Sequence, residues 1–116
     1  MPTPRPGAPV RGSRSGRPIM AALDLLGRRW ALRILWELRH GAQSFRGLRA
    51  LCDEVSPTVL NQRLAELRES GLVAHEAGAG YSLTLAGESL GEALAPLHDW
   101  AERWARRGGR AERRPP

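Results

Sequence analysis

The chain has 116 residues, 41% of them hydrophobic, and a formal net charge of +6. That length supports one domain with tails, and no apolar run approaches the ~18–20 residues of a membrane span. The single cysteine, Cys52, excludes an internal disulfide and a multi-cysteine metal site. The first residues carry Arg but no apolar stretch, which is unlike a secretory signal, so a cytoplasmic protein is expected.

All 18 basic residues are Arg. Residues 1–17 carry four Arg and no acid, and residues 103–116 carry six Arg and one Glu. The body between them, 18–102, holds 8 Arg against 11 acids. Within that body, 28–49 hold six Arg against Glu37, whereas 74–102 hold five acids and no Arg. A GC-rich genome is one alternative reason for Arg in place of Lys, but it does not explain this segregation. The fold is expected to have a basic end and an acidic end.

Residues 1–17, rich in Pro, Gly, Arg and Ser, have little to bury and are expected to form a disordered basic arm. "PIMAALDLLG" predicts a short helix with Ile19, Leu23 and Leu26 on one face and Gly27 at its end. "RRWALRILWELRHG" predicts a second, with Trp30, Ile34, Leu35 and Leu38 inward and Gly41 as the stop. Core packing is expected for both Trp30 and Trp36. "SFRGLRALC" predicts a third, with Ser44 as N-cap and Phe45, Leu48 and Leu51 inward.

"SPTVLNQRLAELRESGLV" predicts the fourth helix, with Ser56 as N-cap, Pro57 at the first helical position and Gly71 as the stop. "LVAHE" and "YSLTL" around "AGAG" predict a hairpin. "AGESLGEALAPLHDWAERWARR" predicts a long last helix with Leu90, Leu94, Leu97, Ala101 and Trp104 on one side. Pro96 removes one helical hydrogen bond and is expected to kink or split that helix. Residues 108–116 are expected to be a disordered basic tail. The fold class is therefore mainly α with a small β-hairpin, and three helices followed by a hairpin is the arrangement of a winged helix-turn-helix.

Enzyme chemistry finds no support. His40, His75 and His98 are scattered, Asp53–Glu54 reads as a capping or solvated pair, and no phosphate loop or nucleophile elbow is present. No catalytic residue, metal or cofactor is expected.

The fourth helix carries a different signal. With Leu60 set inward and about 100° per residue, Leu64 and Leu67 fall within about 40° of it. Thr58 and Gln62 fall opposite, Asn61 on a flank, and Arg63 near the core edge. Asn and Gln match adenine N6 and N7, Thr meets a thymine methyl, and Arg reaches guanine or phosphate. Ser56 stands beside the free N–H groups of the helix start. Alone, this face also fits an ordinary solvated helix. Its place before a hairpin and after Arg-rich helices makes it the expected reader of double-stranded DNA, with Ser56, Thr58, Asn61, Gln62 and Arg63 as contacts.

Arg46 and Arg49 share one face of the third helix, where phosphate clamping is expected, with Ser44 beside them. Arg28 and Arg29 fit either the DNA backbone or a cap on the preceding helix. Trp100 and Trp104 are i, i+4 on the last helix. A domain this small can hardly bury both, so a dimer interface is expected there, against packing on the first helix as the alternative. Two copies also supply two reading heads.

The run from Leu23 to Val73 resembles the HxlR-type regulators, a bacterial branch of winged helix-turn-helix proteins related to MarR. The matching residues are Leu26-Gly27-x-x-Trp30, Phe45-x-x-Leu48, Ser56-Pro57-x-x-Leu60-x-x-Arg63-Leu64 and Leu67-x-x-x-Gly71-Leu72-Val73. Tyr81 to Gly87 is similar to the second wing strand and the start of the last helix. The resemblance covers residues 17–105 of a domain expected over 18–107. It implies a homodimer on operator DNA, most often a repressor, with the first and last helices (Leu23, Leu90, Leu94, Leu97, Trp100, Trp104) making the dimer.

Two departures stand out. Many members have Cys-Pro before the first helix, a sensing site in some; here the pair is Arg17-Pro18, and Cys52 is expected to be a buried small hydrophobe. The wing is short and has no Arg or Lys, which speaks against minor-groove contact by it; the Arg-rich tails are able to substitute as arms contacting phosphates. A winged-helix interaction module that has lost DNA reading is the alternative function. A small-molecule effector is neither shown nor excluded by the sequence.

Overall fold

In chain order the elements are α1 (Pro18–Leu26), α2 (Ala31–Glu37), α3 (Phe45–Leu51), α4 (Pro57–Glu69), β1 (Val73–Glu76), β2 (Gly80–Leu83) and α5 (Leu85–Arg106). They come from a computed structural model that describes residues 2–10 and 13–108. The order is the expected one, mainly α with one antiparallel hairpin. Beyond Gly108, the basic tail lies outside the described residues.

Local chemistry accounts for the helix starts. The Ser44 hydroxyl accepts from the Gly47 N–H at 3.0 Å, and the Ser56 hydroxyl accepts from the Val59 N–H at 3.4 Å. Each satisfies a donor that the first helical turn leaves free. Thr84 does more. Its hydroxyl accepts from the Gly87 N–H at 3.1 Å and donates to the Gly71 carbonyl at 2.5 Å, so one side chain caps α5 and ties it to the end of α4.

The core is one cluster: Leu25 of α1, Ile34 and Leu35 of α2, Leu38, Leu48 of α3, Cys52, Val55, the α4 stripe Leu60, Leu64 and Leu67, and Val73 of β1. The α4 stripe is the one its periodicity predicts.

The hairpin pairs Val73 with Leu83 through Glu76 with Gly80. Gln43, just ahead of α3, exchanges two backbone hydrogen bonds with Tyr81, at 2.9 and 2.8 Å. The outer edge of β2 is thus stitched to the start of α3. Gly80 is required at this seam: its φ is +90°, and a Cβ there would overlap the Gln43 carbonyl. Gly87 serves α5 in the same way, since a Cβ would overlap the Leu72 carbonyl.

Five expectations are corrected. Helix α3 buries Leu48, but Leu51 is 39% exposed. Helix α2 begins at Ala31, three residues later than expected. Trp30 adopts a left-handed conformation, φ 78°, and closes a turn that aims Arg28 into the domain. Helix α1 buries Ala21 and Leu25, not Ile19 and Leu23, which are 55% and 58% exposed. Trp36 is not in the core: its ring is exposed, stacked on His98 of α5 and covered by the Arg39 guanidinium. Of the kink or split expected at Pro96, the split does not occur, and α5 continues as one 22-residue helix.

Helix α5 projects from the domain. Gly87 is its one buried residue, Leu90 and Leu94 are half-buried, and every residue from Ala95 to Arg106 is exposed. Leu97, Trp100 and Trp104 lie on this stretch, the two indoles stacked at 5.4 Å.

Candidate nucleic-acid interface

The link between α3 and α4 sets the geometry. Asp53 and Glu54 both take left-handed conformations, φ 56° and 57°. Such residues cost about 1–2 kcal/mol each outside glycine, so the surroundings must hold them. Arg49 donates from Nε to the Val55 carbonyl at 2.8 Å and pairs with Glu54 at 3.3 Å. Arg33 donates to the Leu51 carbonyl at 2.5 Å and pairs with Asp53 at 3.5 Å. Two guanidinium groups therefore clasp the turn that orients α4 against α3.

Helix α4 presents Thr58, Asn61 and Gln62 to solvent, with Ser56 exposed at its start. Among the described residues none of the three side chains on the helix has a hydrogen-bond partner. Their donors and acceptors are free for a ligand, and the opposite face is locked in the core. Arg46 is likewise exposed on α3 with no side-chain partner among the described residues. Ser44 is exposed, its hydroxyl held by the α3 cap. Arg49 is half-committed to the turn.

Arg63 lies elsewhere. Its Nε donates to the Arg29 carbonyl at 2.8 Å, and its NH1 to Glu66 at 2.7 Å. Glu66 also accepts from Arg28, which pairs with Asp24 at 3.6 Å and donates to the Pro2 carbonyl at 2.7 Å. The side chains of Asp24, Arg28 and Glu66 are each 9% exposed and that of Arg63 18%. Sequence reasoning placed Arg63 on the DNA and did not single out Glu66. The i, i+4 pair Asp24–Arg28 and the i, i+3 pair Arg63–Glu66 are legible from spacing. The Arg28–Glu66 link spans 38 residues and is not.

The wing carries no base. Glu76, at its tip, is exposed, and the Ala79 N–H closes the turn onto its carbonyl at 3.0 Å. Described residues of the basic arm reach the far end of α4, where the Thr3 hydroxyl donates to Glu69 at 2.7 Å and Arg5 pairs with it at 3.3 Å. The Thr3 bond first, and Arg5 after it, hold the Glu69 carboxyl below the usual carboxylate range.

Cys52 is fully buried in the core. Burial pushes its thiol pKa up, partly offset by the nearby Arg33 charge, which suppresses the reactive thiolate. Among the described residues, no group of three or more His, Cys, Asp or Glu is placed to hold a metal ion. No helix among them is long and apolar enough to cross a membrane.

This geometry has counterparts among known proteins. The chain is 34% identical over 89 residues to the HTH-type transcriptional regulator YvaP of Bacillus subtilis, spanning 72% of this chain and 82% of that protein. It is 38% identical over 80 residues to the HTH-type transcriptional regulator YtfH of Escherichia coli, 64% of each chain. The fold superposes on quinone-bound YodB from B. subtilis with a TM-score of 0.68 at 28% identity, covering 73% of this chain and 94% of that one. The profile of the HxlR-like helix-turn-helix family matches residues 25–108. A polar helix seated on a tight turn and followed by a hairpin is the arrangement of a winged helix-turn-helix, and the chain belongs to the HxlR-like helix-turn-helix family of DNA-binding transcriptional regulators.

Proposed function

We propose that the protein acts in the cytoplasm as a homodimeric repressor that reads operator DNA with the N-terminal half of α4. Thr58, Asn61 and Gln62 enter the major groove, and Ser56 and the free N–H groups of the helix start approach a phosphate. Arg46, with Ser44 beside it, contacts the DNA backbone, and Arg49 adds to that contact with whatever charge the turn leaves free. The observation that carries this reading is the set of three unpartnered polar side chains on the exposed face of α4. The exposed strip Leu97, Trp100 and Trp104, with Leu23 of α1 and the half-buried Leu90 and Leu94, supports the dimer. A dimer seated on an operator excludes other proteins from the same DNA, and repression follows from that occupancy.

The test is a mobility shift on DNA selected from a random pool, run at two salt concentrations. A selected sequence that binds at least a hundredfold tighter than the pool supports the reading. No shift at low salt overturns it, in favour of a protein-interaction role; the baseless wing is the feature that favours that alternative.

A further inference from the structure

The four charged side chains Asp24, Arg28, Glu66 and Arg63 form one buried chain that the reading of DNA by the exposed face does not use. Each link is a charged hydrogen bond or ion pair: Asp24 to Arg28 at 3.6 Å, Arg28 to one oxygen of Glu66, and Arg63 to the other at 2.7 Å. Arg63 also holds the Arg29 carbonyl, and Arg28 the Pro2 carbonyl. The chain runs from α1, through the turn that the left-handed Trp30 closes, to the middle of α4. The side chain of Glu66, like that of Asp24, is only 9% exposed, and Glu66 stands one helical turn beyond Gln62 on α4, at i, i+4.

Apolar contacts hold a helix in place but resist rotation and sliding weakly, because many packings of Leu are close in energy. A carboxylate held by a separate guanidinium on each oxygen has a narrowly defined geometry. Buried ion pairs add little to stability against an apolar replacement, and their best-attested use is fixing register.

We propose that Asp24, Arg28, Glu66 and Arg63 are positioning residues for operator reading. They set the rotation of α4 about its axis, and with it where Asn61 and Gln62 meet the bases, while touching no DNA themselves. Because the chain begins on α1, whose Ile19 and Leu23 face is exposed, it also carries the position of α1 to the reading helix. This inference rests on α4 being the DNA reader.

The experiment measures operator and random-DNA affinity across a salt series, at a temperature where circular dichroism shows each variant folded. Glu66→Gln and Arg63→Met are each expected to lower the operator-to-random ratio at least tenfold, with the salt slope unchanged. The double variant is expected to be no worse than the larger single effect within about threefold. Asp24→Asn perturbs only the outer link; it is expected to lower the ratio at least threefold, and it carries the test alone if the buried variants do not fold. An unchanged ratio beside a lowered melting temperature overturns the proposal and leaves the chain purely structural. A salt slope that drops by about one for Arg63→Met alone also overturns it, by placing Arg63 on phosphate. A wild-type protein that selects no sequence overturns the DNA reading itself before any variant is made.

Discussion

Trp104→Ala is expected to weaken the dimer without disturbing the monomer. A Trp side chain offers about 150–250 Å² for burial, and Trp104 is 51% exposed. About 100 Å² per ring is then left for a partner to cover. At about 25 cal/mol per Å² this is about 2.5 kcal/mol per ring. In a two-fold dimer the change occurs twice, for about 5 kcal/mol if both rings are wholly covered. At about 1.4 kcal/mol per tenfold, the dissociation constant rises by three to four orders of magnitude. Half-coverage, about 2.5 kcal/mol, still leaves a rise of about sixtyfold. Sedimentation equilibrium over a concentration series reads this directly. The monomer fold should be intact, since the substituted ring touches solvent and Trp100 rather than the core. Leu85→Ala is the control: Leu85 is 85% exposed at the base of α5, beside the wing and away from the strip, and its loss should leave the dimer unchanged. An association constant for Trp104→Ala within threefold of wild type would refute the reasoning and assign the exposed strip another role.

Arg46→Ala is expected to weaken operator and random DNA alike and to lower the salt slope by about one, since phosphate contacts carry no sequence information. Gly87→Ala should lower the melting temperature clearly in thermal denaturation, because its Cβ has no space beside the Leu72 carbonyl; a cost above about 2 kcal/mol is expected for such overpacking. Cys52 should resist alkylation at pH 8 until the protein unfolds. Its folded thiol pKa lies above the unfolded one, so the associated stability is present below the ordinary thiol range and fades as pH rises through the folded value. Fast native-state labelling would contradict that burial.

Much of the fold is legible in the sequence because it is set locally. The caps at Ser44 and Ser56, Pro57 at the start of α4 and its leucine stripe all act within one or two helical turns, and each stands where spacing places it. The departures come from contacts between distant residues. Trp30 reads as the first core residue of a helix, but it takes a left-handed conformation in the turn that carries Arg28 to Glu66, 38 residues away. Trp36 reads as core, yet α2 turns its buried face elsewhere and leaves the ring to His98 and Arg39. The left-handed pair Asp53–Glu54 has no glycine to announce it, and its partners Arg33 and Arg49 lie on other elements, outside the reach of local spacing. At the candidate site, Thr58, Asn61 and Gln62 stand where helical periodicity puts them. Arg63 also lies near the core edge, as periodicity puts it, but its side chain turns to Glu66 and the Arg29 carbonyl instead of outward.

The central claim is that the exposed face of α4 reads bases. Its most direct test is operator selection from random DNA by the wild type and by Gln62→Ala in parallel. The account predicts that the variant keeps the same operator but loses preference at one base pair per half-site, at a cost of about 1–3 kcal/mol there. Identical selected sequences and affinities from the two proteins, across every position, would contradict it.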